Sequence, residues 1–292
     1  MKIGIYGKNN SVNLQETLEQ ILSALNKRSG VIWLNKDTSE CCKNIKTKFP
    51  NLSEDNSKPD IPNDLDFLIT IGGDGTFIEG ITASKLTDIP TLGVNTGRLG
   101  FLADISPTEI SEAIECLCNG NYNIEKRSLL NAELIPDQGI SFPYALNEVA
   151  VLKRDTSSMI RIQAYIDDNF LTSYWADGLI IATPTGSTAY SMSAGGPIIS
   201  PESKNFLITP IAPHNLSNRP LVIPDEQVVS LKIESRDKKF LVSLDSKSYP
   251  IEDKLEIKIQ KAKKHASVIK LKKHNFYQTI RNKLMWGVDK RN

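Results

Sequence analysis

The chain has 292 residues, 40% hydrophobic and 24% charged, a texture that fits a soluble globular protein of about two domains and excludes a fibre or a largely disordered chain. The charges nearly cancel, 35 Lys and Arg against 34 Asp and Glu for a net +1, which argues against a partner held by a strongly basic net charge. That total hides a split: residues 231–292 carry 17 basic and 7 acidic groups, net +10, and residues 1–230 carry net −9. Cys41, Cys42, Cys116 and Cys118 lack zinc-finger spacing, and with three histidines and no H-E-x-x-H the expectation is packed thiols in a reducing, cytoplasmic setting. Met1-Lys2-Ile3-Gly4-Ile5-Tyr6 has no long apolar signal core, and no later apolar run nears the roughly 18 residues of a membrane span.

In chain order, residues 2–6 read as a strand. Leu14, Leu18, Ile21, Leu22 and Leu25 then recur at helical spacing before the apolar Val31-Ile32-Trp33-Leu34. Residues 36–63, polar and acidic with Pro50, Pro59 and Pro62, read as one short helix and a long surface loop. An apolar strand at 65–71 precedes Gly72-Gly73-Asp74-Gly75-Thr76 and a helix to about residue 86. A strand at 91–94, the loop Asn95-Thr96-Gly97-Arg98-Leu99-Gly100 and a helix at about 108–118 complete an alternation that implies a parallel sheet covered on both faces. From about residue 124 strands come close together. Residues 144–152 read as one of them, and residues 161–166 with 170–175, and 240–244 with 249–251, flank hairpin turns. Residues 275–284 look helical and are expected to pack back on the first domain.

The glycine-rich pentapeptide lies where a strand ends and a helix begins, the place where open parallel sheets bind ligands. Missing β-carbons and the helix N-terminus suit phosphate, whereas Asp74 suits a metal ion or removal of a proton from an attacking hydroxyl. A tight turn with an Asx hydrogen bond is the structural alternative. Neither G-x-x-x-x-G-K-[ST] nor G-x-G-x-x-G is present, and kinase H-R-D and D-F-G motifs are missing, so the standard nucleotide-binding signatures fail.

A second stretch, Asp177-Gly178-Leu179-Ile180-Ile181-Ala182-Thr183-Pro184-Thr185-Gly186-Ser187-Thr188-Ala189-Tyr190-Ser191-Met192-Ser193-Ala194-Gly195-Gly196-Pro197, runs from a buried strand into an array of hydroxyls and small residues. Uncharged hydrogen bonding to phosphate, ribose or a base edge fits it, as does a loop of turns and caps. Asn147-Glu148 pairs an amide that can read an adenine edge with a carboxylate that can accept two ribose hydroxyls. Alone, the dipeptide reads first as a solvated strand edge.

Together these residues resemble the ATP-dependent NAD kinases, bacterial type. The resemblance runs from Ile69-Thr70-Ile71 and the Gly72–Thr76 loop, through Gly93-Val94-Asn95-Thr96-Gly97-Arg98-Leu99-Gly100-Phe101-Leu102, Asn147-Glu148 and the 177–197 motif, to Pro213-His214-Asn215-Leu216-Ser217-Asn218-Arg219-Pro220-Leu221. The G-G-D-G loop is shared with diacylglycerol and sphingosine-type lipid kinases and phosphofructokinases. The 177–197 motif separates NAD kinases from them.

The resemblance implies an N-terminal open parallel α/β domain (Rossmann-like, phosphofructokinase-like; residues 1–124 plus a returning segment 275–292) and a C-terminal β-rich sandwich domain at 125–274, with NAD between them. It implies that Asp74 is the general base for the adenosine 2′-hydroxyl of NAD and that Gly72, Gly73, Gly75 and Thr76 face the ATP phosphates, Gly75 also lining the NAD site. Asn147 and Glu148 would hold adenosine, and Asp177 would lie near the nicotinamide. Thr188, Ala189, Tyr190, Ser191, Met192 and Ser193 would form the adenine and ribose pocket, and Ala212 would offer a backbone contact. A divalent cation, Mg²⁺, is implied as cofactor, and the partners implied are NAD, ATP and a second copy of the chain in a homodimer or homotetramer, with neither nucleic acid nor membrane. Two positions depart from the pattern: Trp175 stands where many members have Arg, and Lys247 where many have Gln. A lipid kinase and a non-catalytic nucleotide-binding regulator are the competing readings. With anionic substrates and a net charge near zero, attraction is expected from local N–H groups, hydroxyls and metal. The lysines at 254–273 are expected along one solvated face of the β domain.

Overall fold

The computed structural model describes residues 1–287 except 10, 12, 29, 42–44, 55–59, 98, 155–158, 236–237 and 253–254. Cys42, Pro59, Arg98 and Lys254, singled out above, lie outside the described residues. The chain divides into two compact units, one of Met1–Lys126 with the segment from Ala266 onward, the other Arg127–His265.

In the first unit, strands Lys2–Gly7, Gly30–Leu34, Leu52–Glu54, Phe67–Ile71 and Thr91–Val94 pair in parallel. The end of strand Glu256–Leu271 joins them through Val268 opposite Thr91. Strand Phe67–Ile71 is buried throughout because both faces of the sheet are covered. Helices Leu14–Leu25 and Ile110–Asn119 pack their apolar stripes on one face, against Ile3, Ile5, Ile69, Ile71 and Leu92. On the other face Trp33, Ile61, Leu65, Leu68 and Ile89 form a second core with Ala83 of the helix Asp74–Ala83. That helix stops at Ala83, short of the expected residue 86, because Lys85 and Leu86 turn left-handed, at φ 53° and 57°. Residues 36–63 hold more order than expected: two short helices, Lys36–Cys41 and Ile45–Lys48, and the edge strand Leu52–Glu54.

The second unit is a sandwich. One sheet has six antiparallel strands, in the order Leu221–Pro224, Asn205–Ile211, Gly178–Ala182, Glu148–Lys153, Lys239–Leu244, Lys247–Glu252. Asn169–Ala176, Ile160–Ile166, Val229–Glu234 and the start of Glu256–Leu271 build the other layer. Alternate residues of both layers, among them Val149, Val151, Leu179, Ile181, Ile162, Ala164, Leu231 and Ile257, meet in one core. Both expected hairpins form; in the first, Asp167 and Asp168 take positive φ, the geometry that matches strand twist.

Residues 144–152 are not one strand. Tyr144–Ala145 and Glu148–Lys153 are separate, because the Asp245 carboxylate accepts the N–H groups of Leu146, Asn147 and Glu148 at 2.8, 2.8 and 3.1 Å and draws the backbone out of the ladder. Nor do the lysines at 254–273 share one solvated face: Lys270 is buried in the first unit, paired with Asp104 at 2.7 Å. Among the described residues no helix is long and apolar enough to cross a membrane.

Candidate active site

Strand Phe67–Ile71 delivers the chain to Gly72, whose φ of 151° and whose absent β-carbon are both needed: a Cβ there would meet Thr76 Oγ1 at 2.4 Å. Gly73 caps the helix Asp74–Ala83, whose first N–H groups have no intrahelical acceptor. A Cβ on Gly73 or Gly75 would meet nothing within 4 Å, so these two leave open space over the helix N-terminus, where the dipole favours an anion.

Asp74 is held in one orientation. Its carboxylate accepts N–H groups from Phe101, Leu102 and Ala103, each at 2.9 Å, and Lys283 Nζ lies 3.4 Å from Oδ2. Gly100 makes this possible, since a Cβ there would fall 2.0 Å from Asp74 Oδ1. Residues 100–103 thus form the cradle of the carboxylate. The Phe101 carbonyl in turn accepts from buried Lys270, and Asp104 is held by Lys270 and His274. Burial and charge act together here: Lys270 and His274 hold the Asp104 carboxyl below its usual range against desolvation, and Asp104 raises the pKa of His274.

In the second unit the structure brings Asn147, Glu148 and the 183–193 stretch together. Thr183 donates its N–H to the Asn147 carbonyl (2.9 Å) and its hydroxyl to that of Leu146 (2.6 Å), and a Cβ on Gly186 would strike the Asn147 carbonyl at 2.1 Å. The Tyr190 N–H donates to Glu148. Glu148 Oε2 is buried with no hydrogen-bond partner, and burial, reinforced by the Asp245 charge, pushes the Glu148 carboxyl up to about 8. Asp245 was read from sequence only as part of a hairpin turn; it stands 97 residues from Glu148, and no local pattern links the two.

The hydroxyl array is mostly internal. Ser187 donates to the Pro184 carbonyl, Ser191 bonds Thr209, and Thr188 reaches back to the Thr185 carbonyl, so these side chains fold the loop. Tyr190 and Ser193 are exposed, and Ala189 and Met192 half-buried. Asp177 and Ala212 lie elsewhere, at the far end of strand Gly178–Ala182, five residues or about 17 Å from Glu148. There Asp177 pairs with Lys153 at 2.7 Å and donates its N–H to Ile211, while Ala212 holds a strained φ of 45°. Trp175 is exposed on its strand, and its carbonyl accepts the His214 N–H.

A family model described as the ATP-NAD kinase N-terminal domain matches residues 4–122, and one described as the C-terminal domain matches residues 146–271. The NAD kinase of Christiangramia forsetii is 41% identical over the whole of both chains. The chain belongs to the NAD kinase family. It is an enzyme that transfers the γ-phosphoryl group of ATP to the 2′-hydroxyl of the adenosine ribose of NAD, giving NADP. The NAD kinase of Bacteroides fragilis is 43% identical, also over both full lengths. Among solved structures, yeast NADH kinase complexed with NADH superposes with a TM-score of 0.84 at 26% identity, covering 99% of this chain and 89% of that one. The NAD kinase from Archaeoglobus fulgidus in complex with ATP shares the fold at a TM-score of 0.74 and 24% identity, covering 97% of this chain and 99% of that one. Members of the family use a divalent metal ion.

Proposed function

We propose that Asp74 takes the proton of the adenosine 2′-hydroxyl of NAD as that oxygen attacks the γ-phosphorus of ATP. A bond forms from the 2′-oxygen to phosphorus, the bond from phosphorus to the β,γ-bridging oxygen breaks, ADP leaves, and the proton resides on the carboxylate. The observation that carries this is a carboxylate fixed by three backbone N–H groups at the start of a helix whose N-terminus lies open at Gly73 and Gly75. In phosphoryl transfer the protein mainly positions reactants and offsets charge, and this arrangement does both. Backbone N–H groups of Gly73, Gly75 and Thr76 hold the ATP phosphates, whereas that of Gly72, expected among them, donates to the Val94 carbonyl at 3.0 Å. Asn147 and Glu148, with the backbone at Thr188–Ser193, hold adenosine and its ribose; Asp177 and the Ala212 backbone contact the nicotinamide portion, in keeping with their distance from Glu148.

Among the described residues no three His, Cys, Asp or Glu converge on a metal site. Mg²⁺ keeps water and phosphate oxygens as ligands, so the triphosphate with the Asp74 carboxylate would supply the oxygens to hold it. When bound it neutralises charge on the triphosphate, and Asp74 is the carboxylate at hand to orient it. The exposed apolar Leu221 and Val222 on the edge strand Leu221–Pro224 support a homodimer or homotetramer, and the free thiols of Cys41, Cys116 and Cys118 support a cytoplasmic enzyme.

Asp74→Asn tests the base. With ATP, Mg²⁺ and NAD, and NADP read by an NADP-specific dehydrogenase, kcat is expected to fall roughly 10²- to 10⁴-fold while NAD affinity holds. Near-normal turnover would falsify the assignment.

A further inference from the structure

We propose that Lys283, on the C-terminal helix Phe276–Leu284, is a further catalytic residue whose ammonium binds the phosphoryl group in transit beside Asp74; this rests on the reading of Asp74 as the proton acceptor. Nothing in the sequence near 283 signals chemistry, and the role emerges from where the helix is pinned. Asn275 caps its N-terminus, accepting the Gln278 N–H at 2.9 Å, and the Phe276 ring packs 6.3 Å from that of Phe101. His274 bonds Glu109 at 3.0 Å, and Lys270 bonds both Asp104 and the Phe101 carbonyl, so the approach to the helix is tied to the same segment that cradles Asp74. Lys283 Nζ then sits 4.5 Å from the centroid of the Phe101 ring and 3.4 Å from Asp74 Oδ2.

This geometry does little for stability. Asp74 already accepts three backbone N–H groups at 2.9 Å, and a part-exposed ion pair with a long contact contributes about 0–1 kcal/mol. What the contact does is place a cation at the open helix N-terminus. An ammonium carries three N–H donors, and the contact with Asp74 Oδ2 takes one of them. Donors remain for the oxygens of a phosphoryl group passing the carboxylate, where charge spreads as the bond to the leaving group loosens and a fixed cation stabilises it. Lysine serves phosphate as a point charge in this way.

The test uses the full-length enzyme with Lys283→Ala, Lys283→Arg and Asp74→Asn, measuring kcat, the KM for ATP, NAD affinity by calorimetry and the melting temperature. Lys283→Ala is expected to lower kcat by roughly 10²- to 10³-fold with NAD affinity and melting temperature unchanged, and Lys283→Arg to retain more activity. Added ethylammonium should restore Lys283→Ala turnover saturably and leave Asp74→Asn unaffected, a response that a loss of packing would not show. A Lys283→Ala kcat within about threefold of the parent, or a loss that neither arginine nor ethylammonium repairs, overturns the proposal. The two readings separate: an impaired Asp74→Asn beside an unimpaired Lys283→Ala removes Lys283 alone. A normal Asp74→Asn beside an amine-rescued Lys283→Ala removes the base and keeps the cation.

Discussion

Replacing Glu148 by Gln should stabilise the ligand-free protein at alkaline pH and leave its stability nearly unchanged near pH 4. Burial, then the charge of Asp245, lifts the Glu148 carboxyl from 4.5 to about 8, and the single N–H from Tyr190 offsets only part of that. Burial raises the neighbouring Asp245 as well, opposed by the three backbone N–H groups that its carboxylate accepts. Between 4.5 and about 8 the folded chain therefore holds a proton at Glu148 that the unfolded chain has released. Where the folded state binds more protons, stability falls as pH rises, by about 1.4 kcal/mol per unit. Across the window the cost amounts to about 3–5 kcal/mol, complete above the folded value. Glutamine keeps an acceptor for Tyr190 and has no proton to lose. Urea unfolding of both proteins at pH 5, 7 and 8.5 measures the effect: the stability difference should grow steadily with pH in favour of the variant. A difference that is the same at pH 5 and pH 8.5 would show that Glu148 ionises as freely folded as unfolded, and the desolvation argument would be wrong. A companion expectation is that NAD binding near pH 7 releases a proton, since a ribose diol is best accepted by the ionised form.

Two further substitutions probe the cradle of Asp74. Gly100→Ala puts a methyl 2.0 Å from Asp74 Oδ1, so the carboxylate or the 100–103 turn must shift; kcat should fall about 10²-fold with NAD affinity retained, and parental activity would contradict the geometry. Lys270→Met leaves buried Asp104 without its ammonium and should cost roughly 3–5 kcal/mol in urea unfolding, with Lys270→Met combined with Asp104→Leu recovering much of the loss.

The elements that sequence revealed best are those decided locally. The strand Phe67–Ile71 is an unbroken apolar run ended by glycines, and the stripe Leu14, Leu18, Ile21, Leu22, Leu25 has one period, so neither needed tertiary context. The break at Leu146-Asn147 was illegible because its cause, Asp245, is distant in sequence. The hydroxyls of Thr183, Ser187 and Ser191 looked like ligand donors but bond the protein's own Leu146 and Pro184 carbonyls and Thr209, a distinction that composition cannot make. Lysine spacing likewise suggested a solvated face at Lys270, where a buried partner from Asp104 overrode it. For the site, the motif located Asp74 and Glu148 but not what fixes them. The 93–102 segment was visible as a motif without a role, and Lys283 had no signal at all.

The division of the first unit between Met1–Lys126 and the segment from Ala266 onward has a consequence during synthesis. As the polypeptide leaves the ribosome, strand Thr91–Val94 is available early, yet the strand that pairs with its open side, through Val268, arrives after the whole second unit has been made. Until then the nascent chain carries an apolar strand whose edge is bridged by Ile105 at Val94 but lacks its partner at Thr91, the kind of surface that recruits other chains and holdase chaperones. The same late segment brings Lys270 to Asp104 and Lys283 to Asp74, so a ribosome that stalls before about residue 266 releases a product whose second unit is complete and whose Asp74 loop lacks both lysines.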